Sequence, residues 1–168
     1  MKREGHEGVG LLNTPLVERA LKAPWVIKLL GRVIPPLDRL LLRISRGWIS
    51  TAMQTIVLME TTGAKSGLRR ETVTLCMRDG DNIVLVGSNW GLPAHPAWVF
   101  NLRANPETLV RFRGYVGSMR AREINGSERA DMWSRLVHHN PQYQRYAEGT
   151  ERELPVLLLE RSSAPSTH

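Results

Sequence analysis

The turn Arg78-Asp79-Gly80-Asp81, set between two strand-like runs, constrains this chain more than any other feature. An Asp-Gly pair in that setting supplies the positive backbone angles of a tight hairpin, so residues 70–77 and 82–88 are expected to pair antiparallel. The same punctuation recurs along the chain. Residues 54–60 (QTIVLME) form a short apolar run that a glycine turn joins to the next strand, Thr108 to Arg113 and Tyr115 to Ile124 flank Gly114, and residues 154–160 (LPVLLLE) read as a last strand. Helices are inserted between the hairpins: one opened by Pro96 and carrying Trp98, Asn101 and Leu102, one capped by Ser127 and ending near His139, and a short one within residues 141–148. Five or six short strands with inserted helices predict a mainly β protein (α+β) built on a small antiparallel barrel.

The N-terminal third departs from this pattern. Thr14-Pro15 reads as a helix start, Pro24 and Pro35-Pro36 interrupt, and Arg19, Lys22, Lys28, Arg32, Arg39, Arg43 and Arg46 face only Glu18 and Asp38. The expected organisation is therefore a basic, amphipathic helical arm over residues 1–50, a barrel over 51–161 and a polar tail over 162–168. Cations alternating with Leu, Ile, Val and Trp suit an anionic membrane surface through residues 14–46, and equally a helix docked on its own barrel with solvated arginines.

A net charge of +7 favours acidic partners, whether phosphorylated cofactors, lipid heads or nucleic acid. No groove-reading motif accompanies the charge, so nucleic acid is not expected. The lone Cys76 forms neither an internal disulfide nor a cysteine-based metal site, and an apolar strand raises rather than lowers a thiol pKa. Together with the absence of a secretion-like leader or a long apolar span, this predicts a cytoplasmic protein, with the inner face of the cell membrane as a second location. His138 and His139, adjacent on a helix, point in different directions, and no metal site is expected.

The chemistry concentrates in Thr61-Thr62-Gly63-Ala64-Lys65-Ser66-Gly67-Leu68-Arg69-Arg70. Gly63-Ala64-Lys65-Ser66 is not a nucleotide-binding P-loop, because Ala64 precedes the lysine and a strand follows. The remaining readings are an ordinary solvated hairpin or an anion-holding turn, in which Gly63 and Gly67 expose backbone N–H groups beside Lys65, Arg69 and Arg70. One hairpin later come Ser88-Asn89-Trp90-Gly91 and Pro96-Ala97-Trp98, which a barrel can bring to the same mouth.

This ordered set, with Glu60, the Arg78-to-Asp81 turn, Val86-Gly87, His95 and Asn101-Leu102-Arg103-Ala104-Asn105-Pro106, resembles the deazaflavin-dependent nitroreductase family over about residues 50–160. The resemblance implies a split β-barrel, FMN-binding-like fold, and the reduced deazaflavin coenzyme F420 as cofactor. It places the cofactor's phosphate and carboxylate tail on Lys65, Ser66, Gly67 and Arg70, and the ring pocket on Ser88, Asn89 and Trp98. It assigns Tyr143 and Tyr146, with Trp98, to the substrate, and makes Tyr143 and Ser88 the catalytic hydrogen-bonding groups. Three positions depart from the pattern. Ala64 stands where a cation is common, so that one tail contact is either missing or taken over by Arg69; Val73 replaces a proline; Asn140 stands where nitro-reducing relatives have tyrosine. The implied reaction is hydride transfer to a planar acceptor such as a quinone or nitroaromatic. The alternatives are a non-catalytic carrier of deazaflavin or fatty acid and an FMN-dependent enzyme on the same barrel. The sequence fixes neither the acceptor nor the oligomeric state.

Overall fold

The structure, a computed structural model, describes residues 36–37, 39–47 and 55–161. The chain divides into two compact units, residues 1–36 and 37–168, and the second holds a barrel. Most of the expected arm, including residues 14–35, lies outside the described residues, as does the polar tail.

Six strands close the barrel in the order β1-β2-β3-β6-β5-β4: β1 Ile56–Thr62, β2 Arg69–Asp79, β3 Asn82–Val86, β4 Glu107–Phe112, β5 Tyr115–Glu123 and β6 Val156–Arg161. Every pairing is antiparallel. The Asp-Gly hairpin forms as expected, with Asp79 opposite Asn82 and Gly80 at φ 61°. Gly114 closes the β4–β5 hairpin, where Arg113 and Gly114 both take positive φ (45° and 85°), the combination that matches strand twist. Four α-helices among the described residues accompany the barrel: α1 (residues 39–44), α2 Ala97–Ala104, α3 Gly126–His139 and α4 Gln142–Glu148. The α3 helix starts earlier than Ser127 suggests, with Asn125 in extended backbone as its N-cap residue.

Three apolar clusters explain why some strands alternate and others read as continuous apolar runs. Val57 and Met59 of β1 and Leu157 and Leu159 of β6 point into the barrel with Leu85, Trp98, Val110 and Met119. Their strand neighbours are buried too, on the outside. Ile56 and Leu58 meet Leu42 of α1, while Val156 and Leu158 meet Met132 and Leu136 of α3 and Tyr143 of α4. A strand covered on both faces needs no polar alternation, hence the runs in β1 and β6. The β5 strand is covered on one face only, so Met119 and Ala121 are buried between exposed Arg120 and Arg122.

The α1 helix belongs to the barrel. Leu42 is 1% exposed and Arg43 pairs with Glu71 of β2 at 2.9 Å. The chain leaves α1 through Gly47, whose φ of 85° and 2.5 Å approach of a would-be Cβ to the Phe112 nitrogen leave no room for a side chain. Of the two readings of this basic helix, docking on its own barrel holds for residues 39–47. Leu37, Leu40 and Ile44 face outward, and no helix among the described residues is long and apolar enough to cross a membrane.

Candidate functional site: a seam in the barrel

Because all neighbours are antiparallel, the end of β1, the start of β2, the end of β3 and the starts of β4 and β6 meet at one end of the barrel. The glycine turn, the segment after β3 and α2 therefore share that mouth. Asn101 of α2 joins them: its Oδ1 accepts the Ala64 N–H at 3.0 Å and its Nδ2 donates to Thr61 Oγ1 at 3.1 Å. Asn105 Nδ2 adds a 3.4 Å bond to the Thr62 carbonyl, and Arg103 fixes the other side of α2 through a bidentate pair with Glu123, both bonds 2.8 Å. That pairing holds the Glu123 carboxyl below its ordinary pKa.

At this mouth the barrel is split. The β2 strand pairs with β1 from Arg69 to Leu75, but its pairing with β3 begins only at Cys76. Residues 69–75 thus have one edge with no strand partner among the described residues. On that stretch Arg70, Thr72 and Thr74 share the inward register with Cys76, whereas Arg69 and Glu71 point outward. The seam is a strand edge whose backbone has no strand partner among the described residues, with the glycine turn at one end.

The turn spends half of its backbone donors on itself. Gly63 N–H donates to Leu68 O and Gly67 N–H to Gly63 O, both at 2.8 Å, while Leu68 N–H reaches Ser66 Oγ at 3.3 Å and Ala64 N–H goes to Asn101. The N–H groups of Lys65 and Ser66 have no acceptor among the described residues. Gly67 takes φ 67°, which a residue with Cβ adopts only under strain. The cations divide likewise. Arg69 is engaged by Glu60 at 2.7 Å, on the outer face, so it does not stand in for the cation missing at Ala64. Lys65 and Arg70 are exposed and have no ion pair among the described residues. Two unspent cations, two free N–H groups and the Ser66 hydroxyl form a donor set that fits a phosphate or carboxylate.

The opposite wall follows β3. Ser88 is half-buried, with its carbonyl bonded to Gly91 N–H (3.0 Å) and Arg152 Nη2 (2.7 Å) and its hydroxyl without a partner among the described residues. Asn89 uses its amide to close the loop, donating to Ala94 O at 2.8 Å. Asn89, Trp90 and Gly91 then take successive positive φ values of 46°, 59° and 77°. For an indole-bearing residue this conformation costs about 1–3 kcal/mol and persists only where the surroundings enforce it. It leaves Trp90 77% exposed, edge-on to Tyr146 with ring centroids 6.3 Å apart. Trp98, by contrast, is 7% exposed within the interior cluster. It belongs to the interior of the barrel, while Trp90 is open to solvent and Tyr146 is half-buried beside it.

Further along, Tyr143 lies in a cavity of about 350 Å³ with Thr55, Leu75, Cys76, His139, Asn140 and Pro141. Tyr143 is 2% exposed, and burial, reinforced by Cys76 and Tyr146, raises its pKa, so the phenol stays protonated. Burial pushes the Cys76 thiol up to about 12, the opposite of an activated nucleophile. Two groupings therefore emerge among the sequence-assigned residues. Lys65, Ser66, Gly67 and Arg70 gather at the turn; Ser88 and Asn89 sit on the loop whose Trp90 meets Tyr146, one helical turn from Tyr143.

Arg152 and His95 complete the mouth. The Arg152 guanidinium donates to the carbonyls of Leu92, Gly87 and Ser88 and to His95 Nδ1 at 2.9 Å. Accepting that bond requires a neutral imidazole, and the His95 pKa is lowered from 6.5, first by burial and then by Arg152 and Arg103, against the opposing Glu123. The sign follows from linkage. An unfolded chain takes up the proton at higher pH than the folded one, so this contribution is present above 6.5 and lost as pH falls through the lower folded value. We expect wild-type thermal stability to fall between about pH 7.5 and about pH 5 by more than that of a His95→Gln variant. Parallel pH profiles of the two proteins would contradict this.

The chain is similar to several known proteins. A family model described as F420H(2)-dependent quinone reductase matches residues 40–161. The F420H(2)-dependent quinone reductase Rv1261c of Mycobacterium tuberculosis (strain ATCC 25618 / H37Rv) is 32% identical over 108 residues, which span 62% of this chain and 72% of that protein. A solved F420-H2 dependent reductase, FDR-A, superposes with a TM-score of 0.58 at 38% identity, over 63% of this chain and 94% of the other. The heme storage protein HutZ from Vibrio cholerae, at 6% identity, a TM-score of 0.51 and coverage of 78% and 92%, shares the fold alone.

Proposed function

Since the chain belongs to the F420H(2)-dependent quinone reductase family, a family of oxidoreductases whose cofactor is F420, we propose that it passes a hydride from F420H2 to a quinone along the barrel seam. The observation that carries this reading is the unpartnered β2 edge, residues 69–75, which begins at the Lys65 and Arg70 donor set and runs toward the Tyr143 cavity.

When bound, F420H2 supplies the hydride; the chain supplies binding, alignment and hydrogen bonds. Lys65, Arg70, the Ser66 hydroxyl and the free N–H groups of the turn take the anionic tail. Ser88 offers its hydroxyl to the ring system, and Trp90 with Tyr146 covers an aromatic face, which excludes water and keeps the ring aligned. The planar acceptor enters beside Tyr143, whose protonated hydroxyl donates to the carbonyl oxygen that gains charge as the hydride arrives. Hydride plus one solvent-derived proton converts quinone to hydroquinone, a two-electron reduction that needs no metal or protein nucleophile. Nitroaromatics are planar acceptors of the same kind, and Asn140, which lines the Tyr143 cavity and stands where nitro-reducing relatives have tyrosine, favours quinones over them.

The test is direct. Purified protein mixed with F420H2 should oxidise it when menadione is added and do so more slowly with a nitroaromatic. Tight F420 binding without oxidation of F420H2 by either acceptor would point to the carrier reading instead.

A further inference from the structure

Arg152 lies between α4 and β6, 57 to 65 residues along the chain from every group it binds. Its Nε reaches Leu92 O at 2.9 Å, Nη1 reaches Gly87 O at 3.1 Å and His95 Nδ1 at 2.9 Å, and Nη2 reaches Ser88 O at 2.7 Å. One planar fork thus ties both ends and the middle of the segment from Gly87 to His95. It has no acidic partner among the described residues, so its bonding capacity goes to that segment.

The loop requires such a tie. Three consecutive left-handed residues do not form a self-sustaining structure in an L-chain, and the bonds inside the loop are few: Asn89 Nδ2 to Ala94 O, Gly91 N–H to Ser88 O and Leu92 N–H to Asn89 O. Gly91 also packs against Tyr146, with its would-be Cβ 3.4 Å from the Tyr146 carbonyl oxygen. The indole of Trp90 is 77% exposed and its edge contact with Tyr146 is its one ring contact among the described residues, little to offset the cost of that backbone.

We propose that Arg152 is a positioning residue for the F420 site: its guanidinium fork holds the loop that presents Ser88 and Trp90 to the seam. This rests on the F420 reading of that seam. A lysine would keep the charge but not the planar array that spans Leu92, Gly87, Ser88 and His95.

The experiment uses Arg152→Lys and Arg152→Ala in the full chain, with amide exchange of residues 87–95 followed in the absence of cofactor. Both variants should exchange this segment about tenfold faster or more, while β1 and β6 keep their protection. Dissociation constants for oxidised F420 should rise by about tenfold, with the larger effect on KM for F420H2 than on kcat. Millimolar methylguanidinium should restore part of the affinity of the Arg152→Ala protein and none of that of Arg152→Lys. Unchanged exchange at 87–95, or faster exchange throughout the barrel with unaltered affinity in the lysine variant, would overturn the proposal. Failure of the unsubstituted protein to bind F420 would overturn the reading of the seam on which it stands, a result distinct from unchanged exchange.

Discussion

Replacing Lys65 and Arg70 together by alanine is expected to weaken binding of oxidised F420 by about 100-fold at low salt, with little change in thermal stability. Charge-assisted bonds to phosphate or carboxylate are roughly twice as strong as neutral ones, and both side chains are exposed and carry no competing ion pair among the described residues. Their removal therefore takes binding energy without leaving a buried partner unpaired. Because the groups face solvent, the wild-type advantage should shrink as ionic strength rises from about 0.1 M to about 1 M. Arg69→Ala is the matched control. Its guanidinium is bonded to Glu60 on the outer face, so a charge of the same sign removed one residue from Arg70 should leave affinity within about twofold. Equal losses for Arg69 and Arg70 would show that the turn acts through net charge rather than through a placed donor set.

The second large effect comes from Asn101→Leu. Asn101 is buried, and its amide makes the two shortest bonds between α2 and the glycine-turn segment, with Asn105 adding a longer one. Leucine preserves the size of the side chain but leaves Ala64 N–H and Thr61 Oγ1 without that partner. With each unsatisfied group costing about 1–3 kcal/mol, the variant should lose about 3 kcal/mol, a fall of roughly 10 °C in Tm. Unlike an ordinary core defect, this one should also weaken F420 binding, by about tenfold, because the turn loses its anchor to α2. Thr108→Val separates the two consequences: Thr108 Oγ1 donates to Glu60 O at 2.9 Å, away from the turn, and its loss should lower Tm modestly without touching affinity. If Asn101→Leu lowered Tm but bound F420 as tightly as wild type, the turn would not depend on α2 for its shape.

Local pattern made the barrel legible. The Asp79-Gly80 hairpin, the Gly114 hairpin and the apolar runs of β1 and β6 each carry their own conformational reason in adjacent residues. The same holds for the glycine turn, whose residues are contiguous and chemically suggestive. What local pattern hides is expenditure. Nothing in the order Glu60 to Arg70 says that Arg69 is bonded to Glu60 while Arg70 stays unpaired; the pairing of Thr61 with Arg70 decides it by setting which face each side chain takes. Nor does sequence distinguish the two tryptophans flanking the mouth. Trp98 is carried inward by α2, whereas Trp90 is held outward by positive backbone angles in the Ser88 loop. Asn101 offered a faint signal, three residues after Trp98 on the same short helix. Arg152 offered none, since everything it binds lies at least 57 residues away.

The account depends on the anionic tail of F420 lying against the glycine turn. A second basic hollow tests that assignment, because Arg78, Arg113 and Arg161 line a cavity of about 110 Å³ at the other end of the barrel. A crystal structure of the chain with oxidised F420 decides between them. The account predicts the phosphate or a tail carboxylate within hydrogen-bonding distance of Lys65 and Arg70, with the ring between Ser88 and Trp90; a tail seated among Arg78, Arg113 and Arg161 would contradict it.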